Sequence, residues 1–143
     1  YDPCKNISCM NKPTCIDGSC YCPDGFEGER CELQSRIKFT RGWLADDEAE
    51  NGSQLGTYTL NVVPNGAILR EVAIENMMNG QFTDFILAYI QKDTIAIPRQ
   101  DPDNVGMWIN GIGVYNIASK TVNLEYTITY PTGESVNFTS TWK

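Results

Sequence analysis

The residues best equipped for chemistry lie at one end of the chain. Cys4, Cys9, Cys15, Cys20, Cys22 and Cys31 all fall in the first 31 positions, and residues 32–143 hold no cysteine. Six thiols at this density form either a disulfide framework or a metal site. A zinc knuckle spaces its paired cysteines by at least two residues, whereas Cys20 and Cys22 are separated by one, and the chain has no histidine. The expectation is therefore disulfides, an oxidising compartment and no metal. Spacing alone leaves fifteen pairings open for six cysteines.

The lack of histidine removes Ser-His-Asp and Cys-His catalysis and every His-ligated metal centre. If all six cysteines are bridged, no thiol nucleophile is left. Gly111-Ile112-Gly113 is not a phosphate loop, since it lacks a third glycine and a lysine. It marks a close backbone approach or a bulge. Carboxylates remain, and a glycoside hydrolase needs only two. Asp46, Asp47, Glu48 and Glu50 sit in a stretch, residues 45–55, that reads mainly as loop, and Asp101 and Asp103 flank Pro102 in another. Both runs read as solvated edges, without the spacing of a calcium loop. The expectation is a protein that is not an enzyme and uses no cofactor, with a carboxylate-only glycoside hydrolase as a distant alternative.

Several partner classes are excluded by charge. The net charge is −7, with six acids and three bases in residues 1–33 and twelve and eight in residues 34–143. Neither part offers the basic patch that nucleic acid or anionic lipid requires. No apolar run approaches the ~20 residues of a membrane helix. Export calls for a targeting segment, and none precedes Tyr1, so the sequence reads as a trimmed form with its signal peptide removed. Any membrane attachment is expected upstream of Tyr1.

Two domains must position these residues. Residues 1–33 are too few to bury a core without covalent staples, and residues 34–143 are enough to form one; a short linker, about Glu32 to Arg36, joins them. The second part reads as almost entirely β. From Thr121 to Tyr130, Val122, Leu124, Tyr126, Ile128 and Tyr130 alternate with polar residues, the period of a strand with one buried face. Pro131 to Glu134 reads as a turn, and Val136, Phe138, Ser140 and Trp142 repeat the alternation, which gives a terminal hairpin. Further strands are expected at 57–62, 68–75, 85–90, 94–97 (ended by Pro98), 105–109 and 111–116, with an opening strand around Ile37 to Trp43. About eight short antiparallel strands suggest a closed barrel or a sandwich. The aromatic residues mostly share the parity of the core. Trp108 opposes the parity of Val105, Met107 and Ile109, so it is expected to face outward and is the candidate binding residue.

The cysteine frame carries a resemblance. The spacing C-x4-C-x5-C-x4-C-x-C-x8-C, closed by Cys22-Pro-Asp-Gly25-Phe26-Glu-Gly28-Glu-Arg-Cys31, resembles EGF-like modules over the whole of residues 4–31. In it Gly25 and Gly28 supply backbone angles that side chains resist, and Phe26 gives the module an aromatic to pack on. The resemblance implies the pairs Cys4–Cys15, Cys9–Cys20 and Cys22–Cys31. The acidic signature of calcium-binding EGF modules is lacking ahead of Cys4. The order of elements is also similar to small exported lipoproteins of gut Bacteroidetes, in which a lipidated N-terminus is followed by an EGF-like module and a lipocalin-like β domain. The residues carrying this are Asp2-Pro3-Cys4, Cys31-Glu32, Gly56-Thr57-Tyr58-Thr59, Asp93-Thr94-Ile95-Ala96-Ile97-Pro98, Gly111-Ile112-Gly113, Glu125-Tyr126-Thr127 and Trp142-Lys143.

That family implies a cell-surface location at the outer membrane through a lipid anchor, and Asp93-Thr94-Ile95 resembles its O-glycosylation signal. A eukaryotic secreted origin would instead give meaning to the sequons at Asn6, Asn51 and Asn137 and to the O-fucose spacing from Cys9 to Thr14 and Cys15. The expected protein is mainly β, an EGF-like disulfide module (1–33) followed by an antiparallel lipocalin-like β-barrel or a β-sandwich (34–143). Its expected function is adhesion or ligand binding at the cell surface, with an extracellular protein or glycan as partner. The alternative is a lipocalin-like carrier of a small apolar ligand.

Overall fold

A computed structural model describes residues 3–11 and 13–143. Tyr1, Asp2 and Lys12 lie outside the described residues, and with them the first residue of the Asp2-Pro3-Cys4 motif and part of the O-fucose spacing.

The N-terminal stretch holds two small two-stranded sheets. β1 (Thr14–Ile16) pairs with β2 (Ser19–Tyr21), and β3 (Phe26–Glu27) with β4 (Leu33–Gln34). Disulfides join Cys4 to Cys15, Cys9 to Cys20 and Cys22 to Cys31, and no free cysteine is left among the described residues. Chain segments this short cannot exclude water from their backbone hydrogen bonds, so the covalent links carry the structure.

A 3-10 turn, Ser35–Lys38, leads into eight strands: β5 (Gly42–Ala49), β6 (Gln54–Pro64), β7 (Glu71–Glu75), β8 (Ile86–Gln91), β9 (Thr94–Gln100), β10 (Trp108–Asn116), β11 (Thr121–Thr129) and β12 (Ser135–Trp142). Each pairs antiparallel with the next, and β12 returns to β5, closing the barrel. Closure leaves no unpaired sheet edge. A sandwich is thereby ruled out.

Several of the expected elements are corrected, among them the strand expected at 68–75, which starts only at Glu71. Ile37 lies in the 3-10 turn and is exposed, so the first barrel strand starts at Gly42 and runs through the acidic stretch that reads as a loop in the sequence. Alternation explains the shift. Trp43, Ala45, Asp47 and Ala49 point inward while Leu44, Asp46 and Glu48 point out, and small or charged inward residues hide that period. Val105 belongs to a turn and is exposed; the strand it was expected to open begins at Trp108 and continues unbroken to Asn116. Strand β9 also runs past Pro98, where the register against β10 slips between Ile109 and Gly111 and relieves the missing N–H. Close approach makes small residues necessary on β10. A Cβ on Gly111 would lie 2.7 Å from Glu125 O and from Tyr126 Cβ.

The barrel is filled. One continuous cluster runs from Phe39, Trp43 and Trp142 at one end, through Leu60, Ile74, Ile90, Ile95 and Leu124, to Ile97, Met77, Met78 and Phe82 at the other, each nearly or wholly excluded from solvent. The first end is sealed by Phe39, whose ring meets Tyr115 edge-on and whose carbonyl accepts the Trp43 indole N–H at 2.8 Å. Buried Arg36 donates there to the carbonyls of Ile68 and Glu71. The second end is covered by the β7–β8 loop, residues 76–85.

The disulfide-linked stretch packs on the sealed end. Gly25 is buried with its Cα facing Leu69, and a Cβ there would lie 3.3 Å from the Leu69 Cβ. Its carbonyl accepts the Ser35 N–H at 2.8 Å. Lys38 bridges Glu27 (2.5 Å) and Asp93 (2.8 Å), and Lys92 Nζ reaches the Phe26 carbonyl.

Candidate functional site

Two constellations stand out, one on the outer face of the barrel and one inside. The outer one is a groove of about 850 Å³ that crosses four adjacent strands and reaches Ile97 of β9. Each of the four supplies three consecutive residues: Asn110–Ile112, Glu125–Thr127, Asn137–Thr139 and Glu48–Glu50. In three of the triplets the middle residue, Tyr126, Phe138 or Ala49, is buried in the core cluster, and in the fourth it is Gly111. The middle residues therefore offer backbone as a floor, while their neighbours stand up as two walls. Strand register fixes the walls. Ile112, Glu125, Thr139 and Glu48 are cross-strand neighbours in one row, and Asn110, Thr127 and Asn137 in the other, which Glu50 extends. Asn137 donates to Glu50 Oε2 at 3.2 Å and accepts from the Thr127 hydroxyl at 2.6 Å.

The groove is rich in carboxylate, amide and hydroxyl groups and has no basic side chain in its lining. Glu48, Glu50 and Glu125 are all exposed. Such a lining can exchange hydrogen bonds with a polyhydroxylated or cationic ligand and repels an anionic one.

Trp108 lies one residue pair beyond Asn110, on the outer face and partly exposed. Its ring is covered by the Arg99 guanidinium at 4.1 Å, a cation–π contact that sequence parity cannot show. Of the other sequence features, Asn6, Asn51 and Asn137 are exposed, Asn137 being engaged by Glu50. Thr94 is partly exposed at the start of β9. Asp101 and Asp103 are loop braces: Asp101 accepts from the N–H groups of Val105 and Gly106, and Asp103 from those of Thr83 and Asp84. Among the described residues no group of three or more Asp, Glu, Cys or His side chains is placed to hold a metal ion.

The inner constellation was missed by sequence reading, which treats Asp47 as part of a solvated run. Asp47 is wholly buried. Its Oδ2 accepts from Tyr58 OH at 2.7 Å and Tyr126 OH at 2.5 Å, and its Oδ1 from the Ser140 hydroxyl, which in turn accepts the Trp142 indole N–H at 3.0 Å. Burial first, and the Asp47 charge second, push both phenols far above the ordinary tyrosine range, so both stay protonated and donate. The phase of Asp47 with Trp43 and Ala45 was the one available signal.

These features define a small up-and-down β-barrel carrying a disulfide-rich N-terminal region. Three disulfides place the chain in an oxidising, extracellular-type environment. No helix among the described residues is long and apolar enough to cross a membrane. No family model and no curated protein matches the sequence. Among solved structures, a redesigned β-barrel is similar, at 14% identity and a TM-score of 0.49, with 78% of this chain and 96% of that one covered.

Proposed function

We propose that this is a non-enzymatic cell-surface binding protein whose contact surface is the outer groove across β10, β11, β12 and β5. The observation that carries the reading is the contrast between a filled interior and an open exterior groove of about 850 Å³ whose lining is half polar and half apolar. Ligand sites occupy concave surfaces, and pockets of ~300–1,000 Å³ are the usual size. The lining favours a neutral glycan, whose hydroxyls pair with carboxylates, amides and hydroxyls alike. The disulfide-rich stretch acts as an EGF-like spacer, a role supported by the cysteine spacing and by its packing on the sealed end of the barrel. The similarity of element order to exported lipoproteins supports a lipid-anchored location at the outer membrane. A permanently open carrier cavity is disfavoured by the filled core.

The test is an array of neutral, amino and acidic oligosaccharides probed with the purified protein and with a Glu125→Gln/Asn137→Ala variant. Both positions face solvent, so the variant keeps the fold. Binding confined to neutral glycans, and reduced at least tenfold in the variant, supports the reading. Binding unchanged in the variant, or no binding on the array, overturns it.

A further inference from the structure

Under the loop that covers the far end of the barrel lies a buried charge without a counter-charge. Asp47 accepts three hydrogen bonds, all from neutral hydroxyls, and none of the ion pairs among the described residues involves it. A lone carboxylate in an apolar core is costly to keep, and purely structural sites are usually better served by an apolar side chain of the same size. A site that receives a cation has reason to keep it.

The loop above has the composition of a removable plug. Met77, Met78 and Phe82 are buried in the same core cluster as Tyr58 and Tyr126, and methionine side chains adapt readily to new surroundings. The loop touches the network directly, because the Met78 N–H donates to Tyr58 OH at 3.1 Å. Asn76, Met78 and Asn79 adopt φ of 65°, 57° and 56°; asparagine takes this conformation readily, so the strained residue of the loop is Met78. The loop is pinned from outside by Asp103, which accepts from Thr83 N at 2.8 Å and Asp84 N at 2.7 Å. Removing one leucine side chain from a core leaves ~150 Å³. Lifting two methionines and a phenylalanine therefore frees on the order of 400 Å³, inside the ~300–1,000 Å³ range of ligand pockets.

We propose that loop 76–85 is a lid over an interior site for a small amphiphile with a cationic amine head. The ammonium group pairs with Asp47, the Tyr58 and Tyr126 hydroxyls remain on the carboxylate, and the apolar body takes the volume that Met77, Met78 and Phe82 leave. This site is separate from the outer groove and goes beyond the glycan reading.

The experiment is fluorescence titration of the full chain with dansylcadaverine, a primary amine on a five-carbon apolar arm, and with 6-(dansylamino)hexanoic acid, which carries a carboxylate on the same arm, as the matched anion. Saturable one-to-one binding of the amine, at least tenfold tighter than the acid and weakened at least tenfold by Asp47→Asn, supports the proposal. Asp103→Ala frees the lid without touching the core, so its stopped-flow association with the amine is expected to be at least threefold faster. If Asp47→Asn does not fold, the amine-over-acid preference and the Asp103→Ala rate carry the decision. No amine binding by a folded Asp103→Ala variant, equal affinity for both probes, or an association rate unchanged by Asp103→Ala overturns it.

Discussion

The Asp47 network makes the stability of the barrel sensitive to alkali, and the sign follows from the tyrosines. Tyr58 and Tyr126 have folded-state pKa values raised well above the unfolded value near 10 by burial and then by the Asp47 charge. Above pH ~10 the unfolded chain loses both protons and the folded chain keeps them. The folded state then binds more protons than the unfolded state, so unfolding becomes easier as pH rises. Each tyrosine contributes a limiting slope of about 1.4 kcal/mol per pH unit, and one unit above the unfolded value the pair has withdrawn about 3 kcal/mol. Against a total stability of ~5–15 kcal/mol, this is a large share.

Urea unfolding followed by tryptophan fluorescence, from pH 8 to 11, measures the loss. Lysines titrate in the same window, so the decisive comparison is with Tyr58→Phe. That variant leaves Asp47 short of a donor and is expected to lose about 1–3 kcal/mol at pH 8. It should also lose about half of the tyrosine-dependent decline between pH 10 and 11. Absorbance at 295 nm gives a second reading, in which two of the seven tyrosines stay protonated until the protein unfolds. If Tyr58→Phe declines with the wild-type slope, or all tyrosines titrate near pH 10 in the folded protein, the described network does not hold.

Other expected outcomes are more local. Gly111→Ala should destabilise the barrel by about 1–3 kcal/mol, because the added Cβ meets the backbone of β11 at 2.7 Å and neither strand can retreat; the urea midpoint reads it. Reduction with dithiothreitol should unfold the N-terminal stretch and leave the β-barrel circular dichroism in place, since every disulfide lies in residues 4–31. Lys38→Met removes the bridge to Glu27 and Asp93, and limited proteolysis should then cut between Glu32 and Phe39 faster than in the wild type, with the barrel melting temperature changed by only a few degrees.

How far the fold was legible depends on what each strand turns inward. The β11–β12 hairpin is readable because Val122, Leu124, Tyr126 and Ile128 face Trp142, Ser140, Phe138 and Val136 in a strict period of two. Strand β5 was not readable as such, because its inward residues after Trp43 are Ala45, Asp47 and Ala49, two small and one charged. The burial of Asp47 has a single local signature, its phase with Trp43 and Ala45. Its donors stand 11, 79 and 93 positions away along the chain and meet only when β12 closes on β5. The outward face of Trp108 follows from parity, but Arg99 reaches its ring only through the irregular pairing of β9 with β10. The groove escaped for a similar reason. Glu48, Glu125 and Asn137 each read as an ordinary solvated residue, and only the barrel register aligns them.

The two ends of the barrel are unequal, and this bears on where a partner can bind. The sealed end is occupied by Phe39, by Arg36 with its two carbonyl partners, and by the disulfide-linked stretch held through Gly25, Lys38 and Lys92. Nothing approaching along that axis can reach the interior without breaking several buried hydrogen bonds. The opposite end is covered by loop 76–85, held by Asp103, by the Met78 N–H on Tyr58 and by Asn76 on the Thr59 carbonyl, with Met107 and Tyr130 packed against the core. The β5–β6 and β11–β12 turns lie at this same end, and the outer groove runs across their strands just below it. The fold therefore places its open outer groove toward the end away from the N-terminal stretch, and the seal of Phe39 and Arg36 beside that stretch. The disulfide-linked stretch at the sealed end leaves the outer groove and loop 76–85 uncovered.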